Sequence, residues 1–479
     1  MASKRFDIAV IGGGITGLAA AWDLIQSGAA DVTLFESAAA VGGKLAISDV
    51  AGVPIDEGAE SMLAARPEAL RLAGEVGLKP SVVHPAAMTA QVLSGGHLRS
   101  LPPGLITGVP TDLRALAASR IMSLRGLLRI PIDQLMGAPD VTSDVAVGEF
   151  LERRVGREVV DRLAEPLLAG VYAGDPDQLS LQMANPSLFR QLARDSSLLA
   201  AARSTRAGSA ATSGTRRGPV FAGLRGGVAR LAEKTGAALT AQGAHLRTKT
   251  SVTGLRRIRN RWQVTAGSRT WDFDAVVLAA PAGAAAQLLR TSAPFAATRI
   301  RAIDYASVAV VTLAYPAARM PELRGSGFLV PPTEGFSVKG VTFVTQKWEW
   351  AARAAKTDAP KGVAIVRSSF GRYGDAAVLE RTDAELAALA RRELSTIAGL
   401  PPISLDERVT RWNSALPQYR VGHVEQVTRA RDSLVDAPGV ALAGAAYDGV
   451  GIASCIASGR QAARQVVRGL EENTVENHG

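Results

Sequence analysis

Short apolar runs alternate along this chain with longer segments in which apolar residues recur at helical spacing. Phe6–Ile11 is a run typical of a buried strand, and the residues after Gly17 continue with the three- and four-residue spacing of a helix. Val32–Phe35 forms a second apolar run that ends at Glu36. The pattern predicts a strand–helix–strand unit, and therefore an α/β fold with a parallel sheet.

Later segments show the same alternation. A helix is predicted from Asp383 to Ile397, with Thr382 as its N-cap and Gly399 as its end. Val440–Ala443 is predicted as a strand that runs into Gly444. The other predicted strands are Ala244–Arg247, Val252–Arg256, Trp262–Ala266, Ala275–Ala280, Ser307–Leu313 and Val363–Phe370.

The pattern divides the chain into three units. One nucleotide-binding unit is predicted from three separate stretches, 1–85, 216–298 and 408–479, with insertions at 86–215 and 299–407. The first insertion has a mostly helical pattern, and the second mixes strands with a helix. Arg203–Gly218 is rich in Ser, Ala, Gly, Thr and Arg, which predicts a flexible loop or a disordered segment.

Composition narrows the class of protein. A length of 479 residues predicts two or three domains, and a mean hydropathy of +0.12 supports a globular fold. The apolar runs are too short for a membrane span, and no signal-type segment precedes the first strand, so a cytoplasmic protein is expected. One cysteine, Cys455, excludes an intramolecular disulfide, and with only five histidines no metal site is expected.

The charge of the chain indicates an affinity for anions. The formal net charge is +10, whereas aromatic residues make up only 5% and no nucleic-acid-binding module is recognisable. Nucleic acid is therefore not expected as a partner. An anionic membrane surface and an acidic small molecule both remain open, as does a solvated arginine-rich surface.

The first glycine-rich turn carries the clearest chemistry. Gly12–Gly17 follows the first strand directly and has the G-x-G-x-x-G spacing that allows a tight turn, a close approach to pyrophosphate and close helix–strand packing. Glu36 lies about 20 residues later, where a carboxylate accepts hydrogen bonds from ribose hydroxyls. The spacing predicts a dinucleotide site; the alternative is a purely structural turn.

Three further segments extend this prediction. Gly42–Lys44 returns the chain to the pyrophosphate side, as a long dinucleotide such as FAD requires, and Asp56–Ser61 is a turn whose backbone N–H groups can face a flavin. The alternative for that turn is a solvated polar loop. Gly444–Ile452 is a turn before a helix whose positive end can stabilise negative charge on a reduced flavin. Cys455 lies on this helix and is expected to be a core residue.

The glycine motifs, combined with three other segments, resemble the FAD-dependent protoporphyrinogen/coproporphyrinogen III oxidases within the flavin amine oxidase superfamily. The resemblance covers almost the whole chain and implies a Rossmann-like FAD-binding domain of the flavin amine oxidase type, with an inserted helical domain and an inserted α+β substrate domain. The segments are Pro166–Pro176 with Leu179–Ser180; Arg411–Trp412 with Leu416–Tyr419 and Gly422–His423; and Tyr447–Ile452 with Ser458–Arg460.

The resemblance also implies particular contacts. Val252 corresponds to the residue whose backbone holds the adenine, and the carbonyl of Gly170 is expected to face the substrate macrocycle, as the only catalytic assignment. Thr89–Val92 departs from the family, since protoporphyrinogen-type relatives place an arginine there. The other implied FAD contacts are Gly12, Gly13, Gly14, Ile15, Thr16, Gly17, Glu36, Ser37, Lys44, Gly58, Ala59, Glu60, Ser61, Trp412, Ala445, Val450, Gly451 and Ile452.

The activity that the resemblance implies is a step of haem biosynthesis. Coproporphyrinogen III would lose six electrons in three hydride transfers to FAD, and O₂ would reoxidise the flavin to give H₂O₂. Ferrochelatase is a candidate partner, and any membrane contact would be peripheral. Protoporphyrinogen IX oxidase is the first alternative; amine oxidase, carotenoid desaturase and a non-catalytic flavin-dependent porphyrin-binding protein follow. The missing arginine near residue 90 favours coproporphyrinogen, which has four propionates and needs a more open, more basic pocket.

Three residues are predicted to bind substrate. Arg367 alternates with Val363 and Ile365 on one side of a strand, which indicates a partly buried cation that binds a propionate or, alternatively, an ion pair within the fold. Arg120 is predicted on the apolar stripe of a basic amphipathic segment. That segment can instead contact anionic lipid or pack on its neighbours. Tyr172, beside Gly170, is the third.

Overall fold

The computed structural model describes residues 5–212, 219–355 and 362–476. The strands are β1 Phe6–Ile11, β2 Ala30–Phe35, β3 Ile47–Val50, β4 Val53–Asp56, β5 Met62–Leu63, β6 Val82–Val83, β7 Gln91–Ser94, β8 His97–Ser100, β9 Leu105–Ile106, β10 Val109–Pro110, β11 Phe221–Leu224, β12 His245–Arg247, β13 Gly254–Ile258, β14 Arg261–Ala266, β15 Arg269–Phe273, β16 Ala275–Leu278, β17 Tyr305–Pro316, β18 Gly327–Leu329, β19 Val338–Phe343, β20 Val363–Phe370, β21 Asp406–Pro417 and β22 Val440–Leu442.

The α-helices are α1 Ile15–Gln26, α2 Pro67–Glu75, α3 Leu113–Ser119, α4 Leu124–Arg129, α5 Val147–Val155, α6 Arg157–Val159, α7 Glu165–Tyr172, α8 Leu181–Ala184, α9 Pro186–Leu192, α10 Leu198–Thr212, α11 Arg230–Ala241, α12 Ala282–Leu289, α13 Pro294–Arg301, α14 Val344–Lys347, α15 Glu349–Ala354, α16 Asp383–Ala398, α17 His423–Asp432, α18 Ala445–Asp448 and α19 Ile452–Glu476. A π-helical segment, Val160–Ala164, leads into α7.

A five-stranded parallel sheet forms the base of the molecule, in the order β12-β2-β1-β16-β22. Helices α1 and α19 pack together on one face, and α12, α13 and α17 cover the other. Parallel strands covered on both faces are apolar throughout, which explains the run at Ile8–Val10. The predicted α/β class is therefore confirmed.

A seven-stranded sheet stands beside it, in the order β21-β17-β20-β19-β18-β7-β8. Its outer face packs on α16, which has Thr382 as its N-cap in a capping box and Gly399 as its C-cap, as predicted. The predicted unit boundaries need correction here. β7 and β8 belong to this sheet and not to a helical unit, and β21, which pairs with β17, crosses the predicted boundary at 407/408.

The chain from α3 to α10 is largely helical, and one prediction made for this region is wrong. Arg203–Thr212 is helical and not a loop, because α10 continues from a buried segment that includes Ala201 and Ala202. The carboxylate of Asp133 accepts hydrogen bonds from the backbone N–H groups of Leu198 (3.2 Å) and Leu199 (2.8 Å) at the start of this helix. Residues 213–218, and with them the predicted boundary at 215/216, lie outside the described ranges.

Arg120 does not lie on a continuous amphipathic stripe. Helix α3 ends at Ser119, Arg120 takes a left-handed conformation with φ of +57° and is exposed, and α4 begins anew after its N-cap Ser123. The break rotates the two halves of the predicted stripe apart, so Leu124 is 80% exposed. No helix in the described ranges has both the length and the apolar character that a membrane span requires.

Candidate active site

The glycine turn between β1 and α1 is packed too closely for side chains at two positions. A Cβ on Gly12, whose φ is +110°, would lie 2.7 Å from the carbonyl oxygen of Ala279. A Cβ on Gly17 would lie 1.9 Å from the oxygen of Gly12, so only glycine lets α1 approach the strand. Next to Gly14, by contrast, the space is open. The turn therefore leaves a backbone-lined cradle at the N-terminus of α1.

Glu36, at the end of β2, is held beside this cradle. Its Oε2 accepts a hydrogen bond from the N–H of Gly13 and its Oε1 one from the N–H of Ala38, both at 2.7 Å. Ser37 Oγ donates to Oε1 at 3.1 Å. Val252 lies in the connection that leads to β13, just ahead of the strand that it was predicted to open, and is half-buried.

The second glycine pair packs directly on the first turn. The N–H of Gly42 donates to the oxygen of Gly13 at 2.8 Å, and a Cβ on Gly43 would lie 3.2 Å from Cα of Gly14. Lys44 follows with an exposed side chain. The two glycine segments therefore form one surface, as the sequence predicted.

The turn at Gly58–Ser61 comes next along this surface. A Cβ on Gly58 would lie 2.0 Å from the oxygen of Lys44, and Trp412 Nε1 donates to the oxygen of Glu57 at 3.0 Å. Asp56 is buried and accepts hydrogen bonds from the N–H groups of Val228 and Ala229; burial raises the pKa of Asp56 to about 6 in spite of these bonds. The alternative of a solvated polar loop is therefore wrong.

The turn before α19 completes the surface. The N–H of Gly444 donates to Ser458 Oγ at 2.9 Å, Ser458 in turn donates to Asp448, and Arg431 Nη2 contacts the same carboxylate at 2.7 Å. This network holds the short helix α18, which contains Ala445, at a fixed angle to α19. Val450 and Gly451 lie between the two helices, and α19 begins at Ile452.

Residues from three distant stretches are thus brought together on one surface and could hold FAD. The open space at Gly14 can receive a pyrophosphate, Glu36 presents carboxylate oxygens for a ribose, and the N-terminus of α19 can face the flavin ring. Cys455 is buried in α19 with its Sγ 3.5 Å from the oxygen of Gly449, and burial raises the pKa of its thiol. The predicted packing role of Cys455 agrees with that environment.

Helix α7 packs against β18 and β19 of the seven-stranded sheet. Gly170 is exposed, and a Cβ there would lie 3.8 Å from Leu329 Cδ2 on β18. Tyr172 ends α7 with its ring 5.8 Å from that of Tyr419, whose hydroxyl donates to the oxygen of Ala445. Helix α7 is thereby linked to α18.

Arg367 points to the inner face but already has partners. Its Nη1 lies 3.2 Å from Glu60 Oε2, its Nη2 donates to the oxygen of Gly58 at 2.7 Å, and Lys347 pairs with the other oxygen of Glu60. Burial raises the pKa of Glu60, but Lys347 and Arg367 outweigh it and hold that pKa below its usual range. The structure therefore shows the ion pair that was the alternative for Arg367.

Arg120 is not brought to Gly170. The carbonyl of its neighbour Ile121 accepts a hydrogen bond from Arg162, which lies more than two helical turns before Gly170. Sequence reasoning missed Lys347 as the second cation of the Glu60 site. No local pattern marks this lysine, because its partner is 287 residues away.

Comparison with known proteins agrees with this geometry. The family model described as flavin containing amine oxidoreductase matches residues 15–467. The coproporphyrinogen III oxidase of Bacillus subtilis (strain 168) is 32% identical over 471 residues, covering 96% of this chain and 98% of that protein. The enzyme of the same name from Mycobacterium tuberculosis (strain ATCC 25618 / H37Rv) is 34% identical over 470 residues, covering 96% and 97%.

A solved structure shows the same architecture. The crystal structure of a putative protoporphyrinogen oxidase from Exiguobacterium sp. 255-15 superposes with a TM-score of 0.84 at 28% identity. The match covers 98% of this chain and 99% of that chain. The likeness therefore extends through the glycine cleft, the helical region and both sheets.

Proposed function

Because the chain belongs to the flavin-containing amine oxidoreductases, in their coproporphyrinogen and protoporphyrinogen oxidase group, we propose that it oxidises coproporphyrinogen III to coproporphyrin III. The observation that carries the proposal is that the glycine turn, Glu36 and the turn before α19 lie side by side, and that Tyr172 on α7 is linked to them through Tyr419. Full-length similarity to enzymes named coproporphyrinogen III oxidase favours this substrate over protoporphyrinogen IX.

Aromatisation of a porphyrinogen removes six electrons, and bound FAD supplies this chemistry as an acceptor of electron pairs. Residues of the chain bind and orient the reactants. The glycine turn would hold the pyrophosphate, Glu36 the ribose, and the N-terminus of α19 would stabilise negative charge on the reduced ring. The network of Arg431, Asp448 and Ser458 keeps that helix end in place.

Gly170 positions the macrocycle in this proposal. The carbonyl of Gly170 faces positive charge as it develops on the oxidised tetrapyrrole, and Tyr172 closes one side of the cleft. Arg367, paired with Glu60, shapes the flavin-facing turn. No side-chain acid or base at the reacting carbon is required by this arrangement.

Steady-state oxidation of both porphyrinogens by the FAD-loaded protein tests the proposal, with porphyrin fluorescence as the readout. Coproporphyrinogen III should have the higher kcat/KM, and one H₂O₂ should form per electron pair if O₂ is the acceptor. A higher value for protoporphyrinogen IX would overturn the substrate assignment. Amine-dependent H₂O₂ would indicate an amine oxidase, and porphyrin binding without flavin bleaching under anaerobic mixing would indicate a binding protein.

We also propose a cytoplasmic location with peripheral contact to an anionic membrane. Leu124, Leu128 and Leu135 are 80%, 75% and 86% exposed along one face of α4 and the turn after it, and Arg120 and Arg125 are exposed beside them. The chain should float with vesicles that contain phosphatidylglycerol, and Leu128→Glu should abolish flotation. Equal flotation of the variant would contradict this surface. Transfer of coproporphyrin III to a ferrochelatase, faster than its release into solution, would support that enzyme as a partner.

A further inference from the structure

Three charged side chains form a buried cluster where α7 meets the seven-stranded sheet. Lys339 on β19 is 4% exposed, Glu165 at the start of α7 is 6% exposed, and Arg372 follows β20. Arg372 Nε donates to Glu165 Oε1 at 2.9 Å, and its Nη2 donates to the oxygen of Val330. None of the contacts proposed for FAD uses this cluster.

A bulge in β19 places Lys339 in the cluster. The register between β19 and β20 shifts between Val338 and Gly340, so Lys339 is the extra residue. Val338 packs in the core on the outer face, whereas Gly340 lies on the inner face beside Leu329. Bulges redirect side chains and are frequent beside active sites. Here the bulge brings a lysine to the end of the inner face.

Lys339 has no carboxylate partner in this cluster, because the carboxylate of Glu165 pairs with Arg372. Lys339 Nζ donates to the oxygen of Gly371 at 2.8 Å, and no carboxylate of the described residues lies within salt-bridge distance of it. When Lys339 is protonated, two cations share one carboxylate in a buried place, which costs free energy unless another anion binds. Burial, together with Arg372, lowers the pKa of Lys339 to about 7.

The cluster lies within reach of the proposed substrate position. Glu165 precedes Gly170 by five residues on α7, a distance of about 7.5 Å along the helix axis. Gly170 faces Leu329, and Leu329 pairs with Gly340, the residue after Lys339. A tetrapyrrole over Gly170 would extend the carboxylates of its rim in this direction.

We infer that Lys339, supported by Arg372, binds a propionate carboxylate of the porphyrinogen and so determines affinity for substrates with carboxylates at that edge. This inference rests on the proposed function for the identity of the substrate. The competing explanation is structural: the loop after β20 also holds the other end of α7, because Tyr373 N–H donates to the oxygen of Ala173 at 2.6 Å. A ligand whose charge can be removed separates the two explanations.

The test measures binding of coproporphyrin III and of its uncharged tetramethyl ester to the FAD-loaded protein by porphyrin fluorescence. The variants are Lys339→Met, Lys339→Arg and, as a matched control, Lys234→Met, whose lysine is exposed on α11. Lys339→Met should raise the Kd for coproporphyrin III about tenfold or more, the effect of losing a charged hydrogen bond. Its Kd for the ester should stay within about twofold of the wild-type value.

Lys339→Arg retains the cation and should keep the preference for the acid, and Lys234→Met should bind as wild type does. An unchanged Kd for coproporphyrin III in Lys339→Met, or an equal loss for acid and ester, would overturn the inference. If Lys339→Met does not fold, loss of the preference for the acid in a folded Lys339→Arg protein would overturn it too. Oxidation of coproporphyrinogen III by the wild-type protein is assayed separately. If the proposed function is wrong, the protein will bind coproporphyrin III but will not oxidise coproporphyrinogen III.

Discussion

Replacement of Glu36 by Gln perturbs the cofactor cleft with the smallest change in shape. Both carboxylate oxygens of Glu36 accept backbone N–H groups, from Gly13 and from Ala38, at 2.7 Å. Gln has one acceptor oxygen, so its NH₂ group must face one of these N–H donors. One charged hydrogen bond is lost and one backbone donor is left without an acceptor.

The magnitude follows from that geometry. A hydrogen bond from the ribose to a charged carboxylate contributes about 1.5–3 kcal/mol, so weakening it in Glu36→Gln should cost about 2 kcal/mol, or about 30-fold in FAD affinity. The lost bond to the backbone is common to the cofactor-free and the FAD-bound protein, and it lowers stability instead. The glycine turn would also relax, because its Gly13 N–H bond to Glu36 fixes the cradle.

The assay is titration of the cofactor-free protein with FAD, followed by quenching of flavin fluorescence. Asp31→Asn is the matched control, because Asp31 lies on the same strand β2 but its carboxylate pairs, among the described residues, only with the exposed Arg5. It should bind FAD as the wild-type protein does. A change of less than threefold in Glu36→Gln, with a thermal unfolding curve like that of the wild type, would refute the assigned role of Glu36.

Three further predictions concern the cradle, the helical region and the response to acid. Gly17→Ala should lose both FAD and thermal stability, because its Cβ would lie 1.9 Å from the oxygen of Gly12. Gly14→Ala has open space around its Cβ, so it should unfold at the wild-type temperature and lose only FAD affinity. Flavin content and Tm distinguish the two variants. Asp133→Ala should lower the free energy of unfolding by about 3–5 kcal/mol, because it leaves the buried guanidinium of Arg154 unpaired; a loss below 1 kcal/mol in denaturant titration would contradict this. His423 is buried, and burial lowers its pKa to about 4. As the pH falls from 6.5 to 4, the unfolded chain therefore binds this proton before the folded chain does, and the free energy of unfolding falls by about 1.4 kcal/mol per pH unit. His423→Gln should remove that part of the acid sensitivity, and parallel stability curves for variant and wild type would show that the fold does not lower the pKa of His423.

Elements with strong local signals were predictable from sequence. β1 and β20 have the predicted bounds, because their apolar or alternating residues match a strand buried on both faces or on one. The limits of α16 follow from Thr382 and Gly399, which satisfy its terminal backbone groups locally. The spacing of Gly12, Gly17 and Glu36 likewise predicted a cleft whose parts lie close together along the chain.

Elements that depend on distant partners were not predictable. Composition made Arg203–Thr212 a loop, but Asp133 accepts hydrogen bonds from the first N–H groups of α10 from 65 residues away, and the helix packs in a buried cluster. Hydrophobic spacing likewise continued through Arg120, where the backbone turns left-handed. The pattern shows which residues are apolar but not where the helix axis changes direction.

The sequence by itself determined the α/β fold, the glycine cradle and the family to which the chain belongs, because these depend on short-range sterics and on motifs of fixed spacing. Only the tertiary structure decided how charge is distributed around the cleft. Arg367 meets Glu60 across 307 residues, and Lys339 enters its cluster through a bulge and a contact with the loop after β20. Coulombic interactions depend on distance in space, and a one-dimensional pattern does not contain that distance.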